Sequence, residues 1–146
     1  MRARHELVVL PLLLLPGCLI PSNVVAPEQR KVVEPTVTVP MVGAKAEDFD
    51  GLFESTAISG QAAASLRKVY YWFGRDGQYT GAALVQAGTL PAFQVLSGRW
   101  SLRGSEVLLR AVGEDEGEPA QAEAAPGWLR FSGSEGVVTL RKVEER

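Results

Sequence analysis

A β-hairpin is predicted by residues 66–86, which read LRKVYYWFGRDGQYTGAALVQ. The dipeptide Asp76-Gly77 lies between two β-prone runs, and Asp-Gly at such a position favours a tight turn with positive φ. Both faces of the first run are apolar, because Tyr71 lies on one face and Tyr70 and Trp72 lie on the other. We therefore expect this strand to be covered on both sides, or to contact a ligand with one of them.

The region around this hairpin predicts an all-β domain. Every aromatic residue of the chain lies between residues 49 and 131, and turn signals separate short β-prone runs across this region. Such a pattern is typical of an antiparallel sheet or barrel. We predict a small antiparallel barrel or a strongly curved sheet of about 7–8 strands. The predicted strands are residues 51–58, 66–74, 78–86, 93–102, 106–112, 127–132 and 137–143, with a loop over residues 87–92.

Two similar units in the second half of the domain predict two successive hairpins. Trp100 and Trp128 each begin a strand that is followed by a Gly-Ser-Glu turn and an apolar return strand. We expect large apolar side chains to supply the core, among them Tyr71, Trp72, Phe73, Trp100, Leu102, Leu109, Trp128, Phe131 and Leu140. A domain of this size needs no disulfide to fold.

An acidic run at residues 114–118, with Glu123 nearby, lies between these two hairpins. Its carboxylates could attract Ca²⁺, but their spacing differs from that of a calcium-binding loop of about twelve residues. We expect a solvated hairpin loop rather than a metal site.

The first residues of the chain have the pattern of an export signal. Arg2 and Arg4 precede an apolar run at residues 7–15, and no charged residue lies between Glu6 and Glu28. A basic segment followed by a short apolar segment is typical of a signal peptide. The apolar run is too short to cross a bilayer, which requires about 20 residues.

The end of this apolar run, Leu15-Pro16-Gly17-Cys18, resembles the lipobox of bacterial lipoproteins. The resemblance implies cleavage before Cys18 and attachment of diacylglycerol to its sulfur. Each buried acyl CH₂ contributes about 0.8 kcal/mol, so two or three acyl chains would anchor the protein to a membrane. Because Leu19 rather than aspartate follows, the resemblance also favours the periplasmic face of the outer membrane in a Gram-negative cell. The alternative is an ordinary secretory signal with an incidental cysteine.

These patterns divide the chain into three parts. We predict a signal peptide at residues 1–17, a lipidated cysteine with a flexible tether at residues 18–48, and an antiparallel β domain at residues 49–146. Six of the nine prolines lie in the first 40 residues, which is typical of an extended linker. As an alternative for part of the tether, residues 36–39 could add an edge strand between two prolines.

The composition excludes several kinds of chemistry. The only histidine, His5, and the only cysteine, Cys18, both lie in the first 18 residues. An intramolecular disulfide, a Cys/His zinc site and Ser-His-Asp or Cys-His catalysis are therefore excluded for the β domain. The net charge of −2 gives no basic surplus for binding nucleic acid. We expect no metal and no cofactor.

The β domain resembles the small lipocalin-like domains of bacterial lipoproteins. The resemblance rests on Gly51-Leu52-Phe53, on the hairpin from Phe73 to Tyr79 and on Gly98-Arg99-Trp100, and it covers residues 49–143. Some copper-stress lipoproteins of this kind carry a Cys-x-x-Cys motif that is absent here, so no metal role is implied. A looser resemblance connects the domain to small periplasmic lysozyme inhibitors.

Three functional hypotheses follow from these observations. The first is a non-enzymatic envelope lipoprotein in which the face bearing Tyr70 and Trp72 binds a small apolar ligand. The alternative for this face is that the strand belongs to the core and has an amphipathic outer edge. The second is a protein–protein interaction module, such as an inhibitor or an assembly accessory. The third and least favoured is a carboxylate hydrolase using Glu54, Asp76 or Glu106.

We expect the substitution Cys18→Ala to abolish metabolic labelling of the protein by fatty acid and to release it from the membrane fraction, because the sulfur that carries the lipid is lost. Ser22→Ala, a few residues downstream, should leave both properties unchanged. Continued labelling of the Cys18→Ala protein would contradict the lipobox interpretation.

Overall fold

The computed structural model describes residues 36–144. The predicted signal peptide, the lipidation site at Cys18 and the first half of the predicted tether lie outside these residues.

Nine strands make up a single antiparallel sheet in the described part of the chain. They are β1 (Val42–Gly43), β2 (Gly51–Ser59), β3 (Leu66–Phe73), β4 (Gln78–Ala87), β5 (Leu90–Arg103), β6 (Glu106–Ala111), β7 (Glu118–Ala125), β8 (Trp128–Gly133) and β9 (Gly136–Lys142). Two short 3-10 turns, Ala46–Asp48 and Gln61–Ala64, precede β2 and β3. No helix in this part of the chain is long and apolar enough to cross a membrane.

The sheet closes into an up-and-down barrel of eight strands. Each strand from β2 to β9 pairs with the next one along the chain, and β2 pairs with β9. The short strand β1 pairs with β7 as a ninth strand. This arrangement confirms the predicted antiparallel barrel and is consistent with a lipocalin-like fold.

The hairpin predicted from Asp76-Gly77 connects β3 to β4. Gly77 has a φ of +84°, and the backbone N–H of Gly74 donates to the carbonyl of Gln78 at 2.9 Å. The carboxylate of Asp76 accepts a hydrogen bond from the Gln78 N–H at 3.1 Å, which is typical of an aspartate in a turn. The two Trp-led units also form the predicted hairpins, β5–β6 and β8–β9.

The loop predicted at residues 87–92 is replaced by a tight turn, and β5 begins at Leu90. Pro91 suggested a loop, yet it lies within β5 opposite Gln86 of β4. The Trp100 N–H donates to the carbonyl of Gly77 near the start of β4, so alternate residues of β5 direct their backbone groups toward β4 and the others direct theirs away. Pro91 belongs to the second set, where its missing N–H costs no hydrogen bond to β4.

Strand β7 was not predicted, because its sequence EPAQAEAA has a low β-propensity. The acidic loop is correspondingly shorter than expected and ends where β7 begins. Ala122 and Ala124 of this strand are buried, and their small side chains lie against the aromatic core. Burial of these alanines, rather than intrinsic propensity, stabilises the strand.

The barrel also begins earlier in the chain than the predicted boundary at residue 49. Val42 and Gly43 pair with β7, and the N–H of the buried Ala44 donates to the carbonyl of Ala122 at 2.9 Å. Residues 42–48, which we assigned to the tether, therefore belong to the fold. Residues 36–39, the alternative edge strand, form no strand. Strand β1 was not predicted, because two residues are too few to show an alternating pattern in the sequence.

An aromatic cluster centred on Phe49 packs inside the barrel. The Phe49 ring stacks on Trp100 with a centroid distance of 4.8 Å, and it contacts Phe73 at 5.2 Å and Phe131 at 6.0 Å. These partners lie on β5, β3 and β8, which are not neighbours in the sheet. Phe49, which is completely buried, therefore links distant parts of the barrel wall.

Two of the predicted core tryptophans lie elsewhere. Trp72 is 45 % exposed, and Trp128 alternates with the buried Leu129, so both side chains lie on the outside of the barrel. Phe49 and Phe53 were absent from our predicted core list and provide much of the burial in their place. The outward direction of Trp72 follows from strand alternation, because Phe73 occupies the interior face.

We expect Phe49→Ala to lower the free energy of unfolding by about 3–5 kcal/mol, because it removes a buried ring that contacts three strands. Chemical denaturation followed by tryptophan fluorescence would measure this change. Val39→Ala is the control, since Val39 is 46 % exposed, lies in no strand, and its truncation should change stability by about 0.5 kcal/mol or less. Equal effects of the two substitutions would contradict the assigned role of Phe49.

Candidate functional site

The two faces of β3 have different environments. Val69, Tyr71 and Phe73 point into the barrel, where Tyr71 stacks against Phe73 at 5.6 Å and contacts Tyr79 at 6.4 Å. Burial raises the pKa of the Tyr71 hydroxyl to about 12. Tyr70 and Trp72, the residues predicted to contact a ligand, lie on the outer face. Any ligand that they bind must therefore lie outside the barrel.

Trp72 lines an open groove on this outer surface, with a volume of about 1090 Å³. The sheet order β3-β2-β9-β8 places the groove over the pairing of β2 with β9, with Trp72 on one flank and Trp128 on the other. Leu52 and Val143 line the groove between the two tryptophans, and the Val143 N–H donates to the carbonyl of Leu52 at 2.8 Å. We call this surface the Trp groove.

The Trp72 side chain is positioned by its neighbours in the hairpin. Leu52 of β2 is its direct cross-strand partner. Gly74 makes room for the indole, because a Cβ atom at this position would lie 2.8 Å from the Trp72 ring and 2.5 Å from the Asp76 carboxylate. The Phe-Gly-Arg-Asp-Gly turn therefore shapes both the hairpin and one wall of the Trp groove.

Charged side chains surround the apolar part of the Trp groove without giving it a strong net charge. Arg75 donates a hydrogen bond to Asp50 at 2.9 Å, and this contact lowers the pKa of the Asp50 carboxyl and raises that of the guanidinium. The lining also includes Asp76, Lys142 and Glu144. With three acidic and two basic side chains, the Trp groove suits an uncharged ligand better than a strongly charged one.

The tryptophans of the groove differ from Trp100 in their hydrogen bonding within the described chain. The N–H of Trp100, which does not line the groove, donates to the carbonyl of Gly74 at 2.9 Å. Within residues 36–144, the N–H groups of Trp72 and Trp128 have no protein acceptor. A bound molecule could therefore contact the flat indole faces and also accept a hydrogen bond.

Tyr70 does not line the Trp groove. Its ring lies beside Lys68, whose ammonium nitrogen is 5.6 Å from the ring centroid. Of the two residues proposed for ligand contact, the structure therefore brings only Trp72 to the groove. Trp128, Leu52 and Val143 were not predicted as site residues. For Trp128 the available signal was strand alternation, which places its side chain on the opposite face of β8 from the buried Leu129 and Phe131.

The carboxylates considered for hydrolysis are separated and engaged in structural contacts. Glu54 is bound by Arg141 at 2.8 Å and by Lys68 at 3.2 Å, and the hydrogen bond from Arg141 is the main reason that its pKa is lowered, although partial burial opposes the effect. Asp76 is held in the β3–β4 turn. Glu106 lies on β6, where its cross-strand neighbours are Arg103 of β5 and Gln121 of β7, and β6 does not pair with the β2 strand that carries Glu54. No pair of these acids shares a site.

No metal site was found among residues 36–144, where no three His, Cys, Asp or Glu side chains converge. The acidic loop before β7 likewise brings no three such side chains together.

Comparisons with protein-family models, with curated proteins and with solved structures found no match for this chain.

We expect Glu54→Gln to lower the free energy of unfolding at pH 7 by about 1 kcal/mol or less, the range typical of surface ion pairs. Because the folded-state pKa of Glu54 is below its ordinary value, its ion pairs stabilise the fold above the unfolded-state pKa, and this contribution is lost as pH falls through the folded-state pKa. The difference between wild type and variant should therefore shrink as the pH is lowered.

Denaturant titrations over this acidic range would measure the difference. Glu116→Gln is a suitable control, because Glu116 is exposed and makes none of the ion pairs found in the described residues. A difference for Glu54→Gln that stays constant or grows on acidification would contradict this account.

Proposed function

We propose that this chain is a lipid-anchored protein of the bacterial cell envelope whose non-enzymatic barrel binds a small apolar ligand in the Trp groove. The observation that carries the ligand-binding part is the placement of two outward tryptophans, Trp72 and Trp128, on opposite flanks of one groove. Exposed tryptophan is costly for a surface that has no partner, and contiguous apolar surface commonly marks a binding site.

Ring packing inside the barrel supports an external site. Phe49 stacks on Trp100, Tyr71 stacks on Phe73, and both Tyr71 and Phe73 contact Phe131. Small barrels of about eight strands are often filled by their own side chains. A ligand that entered this part of the barrel would have to displace packed rings, whereas the Trp groove is open to solvent.

The chemistry of the Trp groove defines the class of ligand. Flat indole faces favour a planar or ring-shaped apolar group, and the adjacent Leu52 and Val143 extend the apolar contact. The nearly balanced charges at its rim favour an uncharged molecule. An indole N–H gives one point of polar recognition without requiring a charge.

The anchoring part of the proposal rests on the lipobox resemblance at Cys18. In this proposal the acyl chains hold the protein on the outer membrane of a Gram-negative cell, on the periplasmic side, and the tether connects them to the barrel.

A second candidate function is a protein–protein interaction module of the cell envelope. It is favoured by the exposed hairpin of β4 and β5, on which Phe93 and Val95 are 74 % and 68 % exposed. This surface is separate from the Trp groove, because neither strand contributes a residue to the groove lining.

We expect the neutral fluorescent probe N-phenyl-1-naphthylamine to bind the purified protein, and Trp72→Ala to weaken this binding about tenfold, since an aromatic contact contributes about 0.5–1.5 kcal/mol beyond its area. Fluorescence titration would measure the affinity. Native mass spectrometry would detect a ligand retained during purification, which Trp72→Ala should release.

Phe93→Ala is the matched control for this experiment, because it removes an exposed aromatic ring outside the Trp groove. If both substitutions weakened the probe equally, its binding would be non-specific and the proposed site would be wrong. Unchanged binding to the Trp72→Ala protein would have the same consequence.

A further inference from the structure

Among residues 36–144, half of strand β5 has no neighbouring strand on one side. Strand β6 pairs with β5 from Gly98 to Arg103, and the Val112 N–H donates to the carbonyl of Ser97. Residues 90–96 pair only with β4 among the strands of the described chain. We call these seven residues the free edge. Strand β5 therefore extends beyond the end of β6, and the free edge is the part that β6 does not cover.

The free edge exposes backbone groups that a strand can bind. Because Trp100 directs its N–H to β4, the even-numbered residues of β5 face β4, and Pro91, Phe93 and Val95 direct their backbone groups away from it. The outward set comprises two N–H groups and three carbonyls, since proline has no N–H. Unpaired edges of this kind are templates for pairing with another strand.

The side chains of the free edge are unusually apolar for an exposed strand. Leu90, Phe93, Val95 and Leu96 are among the most exposed large hydrophobic residues of the described chain. No charged residue occurs from Gly77 to Gly98, in a chain that is 22 % charged. Monomeric proteins usually protect an edge with charged residues, proline or a bulge, and Pro91 is the only such device here.

The exposed backbone argues for a strand rather than a lipid surface as the partner. A membrane would cover Phe93 and Val95, but it would leave their edge-facing N–H and C=O groups without hydrogen bonds, which is unfavourable in a lipid environment. A strand paired in register satisfies these groups and covers the apolar side chains at the same time.

We propose that the free edge pairs with the free edge of a second copy of this chain, antiparallel and about a two-fold axis at Phe93. This axis pairs the whole length of one free edge with the whole length of the other. It places Phe93 opposite Phe93 of the second copy, Leu90 opposite its Leu96, and Val95 opposite its Pro91. Each exposed hydrophobic residue of the free edge is therefore opposite an apolar residue of the second copy.

The backbone groups also match in this register. The two Phe93 residues exchange both of their hydrogen bonds, and each Val95 N–H donates to the carbonyl of the opposite Pro91, which gives four hydrogen bonds in all. Each strand then ends before Val112 of the second copy, which already occupies the position next to Ser97. Because the strand is uncharged, pairing it with itself creates no repulsion between like charges.

The proposed register can be tested with a cysteine at the two-fold axis. Directly opposed residues of a hydrogen-bonded antiparallel pair have Cα atoms about 5.5 Å apart, which is within the range for a disulfide. We expect full-length Phe93→Cys protein, purified from membranes in detergent, to form a disulfide-linked dimer on mild oxidation. Thr89→Cys is the control, because the two copies of residue 89 would be eight residue positions apart, or about 27 Å.

Wild-type protein run in parallel shows any disulfide made by Cys18 itself.

In a second arm, Phe93→Lys would place two like charges opposite each other, and we expect it to raise the dissociation constant of the dimer at least tenfold in sedimentation experiments. Val39→Lys, at an exposed apolar position before β1, should leave the dimer intact.

Several results would overturn the proposal. A monomer at all concentrations, or a dimer that is unaffected by Phe93→Lys, would show that the free edge does not pair with itself. Disulfide capture of a different protein by the Phe93→Cys variant, without the homodimer, would identify a foreign strand as the partner. Protection of the thiol introduced by Phe93→Cys from an alkylating reagent by phosphatidylethanolamine–phosphatidylglycerol vesicles, with the protein monomeric, would identify a lipid surface.

Discussion

Pairing of β2 with β9 is the interaction on which the rest of this structure depends. It converts a meander of eight strands into a closed barrel and thereby encloses Phe53 and Leu140, which are both buried. The pairing contains a bulge between Ser55 and Ala57, and the buried Ser55 hydroxyl accepts a hydrogen bond from the Val69 N–H at 2.9 Å. Gly136 permits the close approach, since a Cβ atom there would overlap the carbonyl of Ser59.

Closure also explains where the candidate sites lie. Because β2 and β9 pair, the first and last strands of the barrel lie side by side. The Trp groove lies over this pair, between Trp72 and Trp128. The aromatic cluster around Phe49 packs in the enclosed space. Because the side chains of β3 alternate, Tyr71 contributes to this interior packing, whereas Trp72 lies on the outer surface where the proposed ligand would bind.

The sequence predicted the parts of the fold that depend on local patterns. Alternation and the Asp76-Gly77 turn gave the class and most of the strands, and the lipocalin-like resemblance agrees with the closed barrel. Strand β7 was missed because its stability comes from burial of small alanines, and β1 because it is too short for a pattern. The Trp groove could be predicted only in part: Trp72 was named, but Trp128 and Val143 reach the same surface through the pairing of distant strands.

The free edge leaves backbone groups of a closed barrel without a strand partner among the described residues. Antiparallel alternation places the β4–β5 turn at the opposite end of the barrel from the β3–β4 turn that borders the Trp groove. The proposed ligand would contact side chains that project from paired strands, whereas the proposed partner strand would bind backbone groups of residues 90–96 that no neighbouring strand covers. One surface can therefore be altered without the other, because the groove lining contains no residue of β4 or β5. The length of β5 beyond β6 is thus a feature that barrel closure does not require, and its uncharged composition is what makes pairing between identical copies physically permissible.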